Sequence, residues 1–204
     1  MRLYLASTSP ARLTTLRSSG VEPVVLPSNV DEEGAVAAAG PLTPTEMVQL
    51  LGRLKAEAVV SPAIDGFILG CDSACELDGQ VYGKPHTAAV ARERWLLQRG
   101  REGQLHSGHW LIDHRGGTVN GAVGAVSSTF VRFAAISDAE IDAYIATGEP
   151  LEVAGAFTID SLGAAFITGI RGDPHSVVGV SVATVRELLL GFGVAWPSLW
   201  NRAL

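Results

Sequence analysis

The first twenty residues place a strand directly before a capped helix, and this junction restricts the chain to folds that contain strand–helix units. The segment RLYLA over 2–6 is apolar enough for a strand. It leads at once into PARLTTLRSS, where Ser9 suits the N-cap and Pro10 the first helical position. Gly20 suits the end of this helix. Because strands and helices keep alternating along the chain, the sequence predicts an α/β fold.

Two capping boxes mark further helices, one from Thr43 to Glu46 and one from Ser137 to Glu140. The first of these helices has an apolar stripe at helical spacing, made of Met47, Leu50, Leu51, Leu54 and Ala58. Helices are also predicted over 87–99 and 182–192. The small-residue segment over 34–42 is predicted to be a mobile loop.

The segment GFILGCDSACELDGQVYGKP predicts a buried strand, a turn at Asp72, a short strand and a hairpin turn at Asp78–Gly79. Two long strands are expected over 104–113 and 117–136. The segments AAFITGI and SVVGV are expected to be strands as well.

Composition limits the class of protein. The 204 residues suffice for one sizeable core or for two small lobes that share a sheet. No apolar run approaches the roughly 20 residues that span a bilayer, and the first residues lack the apolar region of a signal peptide. We therefore expect a soluble cytoplasmic protein that does not bind a membrane. The net charge of −6 argues against binding to nucleic acid.

The sequence lacks the patterns of several common kinds of functional site. Cys71 and Cys75 on one strand would lie roughly 13 Å apart, too far for a disulfide, so buried thiols are expected. The histidines have no metal-ligand spacing, and neither a G-x-S-x-G serine motif nor a Walker phosphate loop is present.

The junction that opens the chain is a candidate phosphate site. The first turn of a helix has unpaired N–H groups and the positive end of the helix dipole. Arg12 would add a guanidinium there, and Ser7 and Ser9 would add hydroxyl donors. The alternative is an ordinary helix start with a solvated arginine.

The other candidates are charged residues. Asp72 follows a buried apolar run, where a carboxylate is costly unless it is paired, metal-bound or part of a site. It could equally cap a turn. The chain has 13 arginines but only two lysines, Lys55 and Lys84, and each alone could be a solvated charge. The acidic run over 31–33 could be a solvated loop or could supply a metal ligand.

Taken in order, these pieces resemble a known family. The motifs LASTSPAR, VDEE, LKA, GCDS, GKP, GEPLEVAGAFTIDSLG and GDPHSVVGV look like those of the Maf family of nucleoside triphosphate pyrophosphatases. The resemblance spans residues 3 to 190, and it implies one Maf-like domain over 1–204. It implies an elongated, central mixed β-sheet flanked by helices, with two lobes and a cleft between them, and a homodimer.

The resemblance also implies an activity and a set of site residues. The family hydrolyses nucleoside triphosphates, often non-canonical ones, between the α and β phosphates with a divalent cation, Mg²⁺, Mn²⁺ or Co²⁺. Asp72 matches the catalytic carboxylate, taken as the base or as a metal ligand, and Glu32 matches a further metal ligand. The residues that match substrate-binding positions are Ser7, Ser9, Arg12, Lys55, Lys84 and Asp160.

Two departures from the family pattern concern the substrate. Ala11 stands where the family often has an arginine next to Arg12. Asp160 stands at a position that reads the base and is glutamine in the group directed to dTTP and UTP. Two rival functions remain open on the sequence, a non-catalytic nucleotide-binding regulator of septum formation and a phosphomonoesterase.

Overall fold

The computed structural model describes residues 1–202, and within them the strands form one seven-stranded sheet. The strands are β1 (Leu3–Leu5), β2 (Val24–Val25), β3 (Gly66–Leu77), β4 (Gln80–Tyr82), β5 (Glu102–His114), β6 (Gly121–Phe133) and β7 (Ile167–Arg171). They lie in the order β2-β1-β3-β5-β6-β7, and β4 pairs with β3. β1 is parallel to both β2 and β3, whereas β4 and β7 are antiparallel to their partners. The predicted α/β fold with a mixed sheet is confirmed.

The three helices with predicted caps, at Ser9, Thr43 and Ser137, begin directly after those residues. The helices are α1 (Pro10–Ser18), α2 (Glu32–Ala39), α3 (Pro44–Ala58), α4 (Ala88–Gln98), α5 (Asp138–Ala146), α6 (Pro174–Val178) and α7 (Val182–Gly191). Both predicted capping boxes are formed. Within residues 1–202, none of the helices has the length and apolar character needed to cross a bilayer.

The chain divides into two compact units. The first consists of Met1–Asp72, Ser107–Ser127 and the residues from Gly179 onward, and the second of Ser73–His106 and Ser128–Val178. Residues 203–204, with which the predicted domain over 1–204 ends, lie outside the described part of the chain.

Each unit has its own apolar core. The core of the first unit packs leucines of β1 and α7 against Phe67 and Leu69 of β3. The core of the second unit is built around the buried Trp95, whose ring meets Phe133, Tyr144 and Phe166 nearly edge-on at centroid distances of 5.7 to 5.8 Å. Cys71 and Cys75 are buried free thiols, as expected.

Helix α3 lies unusually close to the sheet because two strand positions have no side chain. A Cβ added to Gly70 would lie 2.0 Å from the carbonyl oxygen of Gly52, and one added to Gly108 would lie 2.3 Å from that of Val48. The buried face of α3 consists of Val48, Leu51, Gly52, Lys55 and Ala56. Of the predicted stripe of Met47, Leu50, Leu51, Leu54 and Ala58, only Leu51 belongs to this face, because backbone contact at small residues sets the orientation of the helix.

The structure corrects three further predictions. The predicted loop over 34–42 is largely helix α2, because Asp31 accepts a hydrogen bond from the N–H of Gly34 and so caps a segment that is rich in alanine. The predicted strand SVVGV is partly helix α6, which begins at Pro174 after Asp173. The turn expected at Asp72 does not exist, since β3 runs through this residue without a break.

Candidate active site

Lys55 holds two carboxylates of the first unit. Its Nζ lies 2.6 Å from Oδ1 of Asp72 and 2.8 Å from Oε1 of Glu32. The side chains of Lys55 and Asp72 are only 9% and 11% exposed, whereas that of Glu32 is 49% exposed. Lys55 reaches this position because it lies on the face of α3 that packs on the sheet. The predicted trio of Glu32, Lys55 and Asp72 is thus brought together.

Asp72 is a buried carboxylate in the middle of a strand. Burial raises the pKa of Asp72 above its usual value, while the nearby charges of Lys55 and Arg12 act to lower it. The contact with Lys55 explains why β3 continues without a turn here, since the ammonium compensates the charge of the carboxylate. A carboxylate whose pKa is raised is a stronger proton acceptor than an ordinary aspartate.

Arg12 is buried at the start of α1, with only 9% of its surface exposed. Its Nε donates to the carbonyl oxygen of Gly179 at 2.8 Å, and its Nη1 donates to Oγ of Ser7 at 3.1 Å. The alternative of a solvated arginine is therefore wrong. Ser9 is the N-cap, as predicted, and its Oγ accepts from the N–H of Arg12.

The hydroxyl of Ser7 is oriented by its neighbours. Its oxygen accepts hydrogen bonds from the N–H of Ser9 at 3.2 Å and from Arg12 at 3.1 Å. Because these two bonds use the lone pairs of the oxygen, they leave the O–H able to donate to a phosphate oxygen. Ser7, Ser9 and Arg12 thus form one connected group at the first turn of α1.

The sequence did not reveal what holds Arg12 in place. The carbonyl of Gly179 fixes its guanidinium, and the next turn of chain is fixed by His109, whose Nε2 accepts from the N–H of Ser181 at 2.8 Å. His109 is fully buried. Gly179 lies inside the motif GDPHSVVGV, so the sequence indicated that this segment matters. Arg12 and Gly179 are 167 residues apart, however, and no local sequence pattern predicts their hydrogen bond.

Lys84 and Asp160 belong to the second unit. The side chain of Lys84 is 54% exposed, and its Nζ lies 4.0 Å from a carboxylate oxygen of Glu152. Asp160 is exposed, in the segment before Ser161 and Leu162. The roles predicted for these two residues stay predictions.

Comparison with known proteins shows the family of the chain. A family model described as "Maf-like protein" matches residues 2–192 of the chain. The chain belongs to the Maf-like protein family. A protein of Leifsonia xyli subsp. xyli, named nucleoside triphosphate pyrophosphatase, is 63% identical over 211 residues, which cover 100% of this chain and 98% of that protein. A protein of Saccharopolyspora erythraea with the same name is 47% identical over 207 residues, 98% of each chain.

A solved structure is a much more distant match to this Maf-like protein. The Ham1 protein of Staphylococcus aureus has a TM-score of 0.42 and 15% identity, over 66% of this chain and 73% of that one.

The donor atoms of this Maf-like protein fit a divalent cation only in part. Within residues 1–202 there is no group of three or more histidine, cysteine, aspartate or glutamate side chains arranged to hold a metal ion. Glu32 and Asp72 nevertheless converge on one cation already, the ammonium of Lys55. Mg²⁺ is commonly bound by one or two carboxylates together with substrate phosphates and water. The pair therefore fits a cation that arrives with a triphosphate.

Proposed function

We propose that this chain hydrolyses nucleoside triphosphates between the α and β phosphates to give a nucleoside monophosphate and pyrophosphate. The predicted enzyme class agrees with the names of both relatives, nucleoside triphosphate pyrophosphatase. The observation that carries the proposal is the buried ammonium of Lys55 between the carboxylates of Asp72 and Glu32. In this proposal Asp72 is the proton acceptor, and Lys55 is the adjacent cation that binds phosphate.

In the proposed reaction, Asp72 accepts a proton from water as the water oxygen attacks the α phosphorus. The bond between that phosphorus and the bridging oxygen breaks, and pyrophosphate leaves. Lys55 and Arg12 stabilise the negative charge that develops on the phosphate oxygens. Ser7 and the N–H groups of the first turn of α1 orient the triphosphate through hydrogen bonds.

The proposal includes a divalent cation, Mg²⁺, Mn²⁺ or Co²⁺, held by Glu32 and Asp72. When bound, such an ion neutralises charge on the triphosphate and polarises its oxygens. Both carboxylates contact the ammonium of Lys55, so Lys55 would balance part of their charge.

The proposed substrates are non-canonical or pyrimidine nucleoside triphosphates. Asp160 would contact the base, because an exposed carboxylate accepts hydrogen bonds from the N–H groups that distinguish bases. Lys84 would bind the triphosphate, since its ammonium is largely exposed and only loosely paired. We also propose that the protein works as a homodimer in the cytoplasm, where triphosphates are made. Light scattering on the purified chain tests the dimer.

The function is tested with a panel of canonical and modified triphosphates and of nucleoside monophosphates, each incubated with Mg²⁺, Mn²⁺, Co²⁺ or a chelator, and nucleotide binding is measured by calorimetry. Pyrophosphate and orthophosphate are measured separately. We expect pyrophosphate from at least one triphosphate, only when a divalent cation is present. Nucleotide binding without turnover would support the rival, a regulator of septum formation, and orthophosphate from monophosphates would support a phosphomonoesterase.

A pair of variants ties the activity to the site. Asp72→Asn should reduce the rate about 10²–10⁴-fold, the usual effect of losing a general base. The matched control is Asp78→Asn in the hairpin, where φ is +53° and asparagine is tolerated as well as aspartate. A wild-type rate in Asp72→Asn would contradict the proposed role.

A further inference from the structure

Three side chains of the second unit form an arrangement that the proposed reaction does not use. Glu76, His106 and Ser128 lie on β3, β5 and β6, which are neighbours in the sheet. Nδ1 of His106 lies 2.8 Å from Oγ of Ser128, and Nε2 lies 2.8 Å from Oε2 of Glu76. A hydroxyl, an imidazole and a carboxylate are thus connected in one line.

The carboxylate determines which ring nitrogen has the proton. An ionised glutamate can only accept hydrogen bonds, so the Nε2 of His106 must donate to Glu76. In the neutral ring the other nitrogen, Nδ1, then has a lone pair. With the ring neutral, the hydroxyl of Ser128 donates to His106, which is the direction required when a histidine removes a proton from a serine nucleophile.

The three residues differ in their exposure to solvent, and the hydroxyl is the exposed end of the arrangement. His106 is only 3% exposed, and the side chain of Glu76 is 28% exposed, whereas Ser128 is exposed to solvent. The next residue gives a contrast, because the buried hydroxyl of Thr129 is used internally, against Ser176 and Asp173. The line from Glu76 thus ends in a hydroxyl that a ligand can reach.

We propose that Ser128 is a nucleophilic serine, activated by His106 and oriented through Glu76, which accepts an acyl group from a carboxylic ester with a good leaving group. Oγ of Ser128 attacks the ester carbonyl carbon while its proton passes to Nδ1 of His106. The new Oγ–C bond forms, the C–O bond to the leaving alcohol breaks, and the alcohol oxygen takes the proton. Water then attacks the acyl-serine with His106 as base, which releases the acid and restores Ser128.

A fluorophosphonate probe tests the nucleophile directly, because it forms an Oγ–P bond and releases fluoride. Peptide mapping should find Ser128 labelled about 10²-fold faster than Ser198, an exposed serine whose hydroxyl donates to the carbonyl of Ala195. His106→Asn should slow labelling of Ser128 about 10²-fold and Glu76→Gln about 10-fold. Equal labelling of Ser128 and Ser198, or unchanged labelling in His106→Asn, would overturn the proposal.

Hydrolysis of p-nitrophenyl acetate tests turnover. Ser128→Ala should lose ester hydrolysis and keep pyrophosphate release, whereas Asp72→Asn should do the reverse, so that the two proposals fail separately. Urea unfolding of each variant shows whether it is folded. If His106→Asn does not fold, the labelling rate of Ser128 in Glu76→Gln tests the proposal instead. Ester hydrolysis that persists at the wild-type rate in folded Ser128→Ala would contradict the assignment.

Discussion

Lys55 stabilises the candidate site through its contact with the buried carboxylate of Asp72. Replacing it with methionine leaves the buried carboxylate of Asp72 without its counter-charge at 2.6 Å. We expect Lys55→Met to lower the free energy of unfolding by about 3 kcal/mol, measured by urea denaturation. Adding Asp72→Asn should recover most of this loss, because the double variant no longer buries a lone charge. If the losses of the two single variants simply add, the pair is not coupled.

A second prediction at the scale of single residues concerns the guanidinium of Arg12. Its planar guanidinium donates at once to Gly179 and Ser7, and the single ammonium of lysine cannot reproduce this fork. Arg12→Lys should lower kcat/KM for the preferred triphosphate about 10-fold. Arg17→Lys is the matched control, because Arg17 lies on the same helix in an exposed pair with Glu22. Equal kinetics in the two variants would argue against Arg12 as a phosphate ligand.

At the scale of elements, the close contact of α3 with the sheet depends on glycine. The Cβ of Gly70→Ala would lie 2.0 Å and 2.7 Å from backbone atoms of α3. Backbone cannot move aside as a flexible side chain can, so we expect a loss of at least about 2 kcal/mol in the free energy of unfolding. Gly191→Ala, at the end of α7 and in open space, should cost nothing. Similar stability of the two variants would contradict this packing.

Glu149 organises the segment after it. Its carboxylate accepts hydrogen bonds from the hydroxyls of Tyr144, Thr158 and Ser161 and from the N–H groups of Leu162 and Gly163. Burial alone would raise the pKa of Glu149, but the hydrogen bonds outweigh it and lower the pKa to about 2. The segment that they hold includes Asp160.

The lowered pKa predicts a dependence of stability on pH. Since the folded pKa lies below the unfolded one, the ionised Glu149 stabilises the fold above about pH 4.5, and this contribution is lost as the pH falls toward 2. Allowing for solvent screening, it amounts to roughly 1–2 kcal/mol. The free-energy difference between wild type and Glu149→Gln should therefore shrink over this range, measured by urea denaturation at a series of pH values. A difference that stays constant from pH 5 to pH 2 would be the contrary result.

Some features of the helices and strands could be predicted from the sequence, and others could not. Caps at Ser9, Thr43 and Ser137 were readable because their partners lie three residues away. The buried face of α3 could not be predicted, because the close contact between Gly52 and Gly70 joins two separate segments of the chain. The sequence marked Asp72 as an unusual carboxylate. It did not show that β3 continues through Asp72, because this depends on the contact with Lys55, and Lys55 is placed by the buried face of α3.

The candidate site was predicted in part for a similar reason. Family motifs named Glu32, Lys55 and Asp72, and the structure brings them together. The support of Arg12 by Gly179, and of its segment by His109, joins residues far apart in sequence. Lys84, Asp160, the cleft and the homodimer stay predictions.

At the scale of the whole molecule, an acidic chain buries two cationic side chains at the candidate site. The net charge is −6, yet Arg12 and Lys55 are both buried in the first unit, where Lys55 contacts the carboxylates of Asp72 and Glu32. Fixed cationic groups can stabilise the phosphates of a substrate locally even when the whole protein is acidic. The central claim is that water attacks the α phosphorus at this site.

Hydrolysis in water enriched in oxygen-18 tests that claim most directly. The products are separated, and the isotope in each is measured by mass spectrometry after a single turnover of the preferred triphosphate. We predict one labelled oxygen in the nucleoside monophosphate and none in the pyrophosphate. Label in the pyrophosphate would place the attack on the β phosphorus, and labelled orthophosphate would place it on the γ phosphorus; either result would contradict the account.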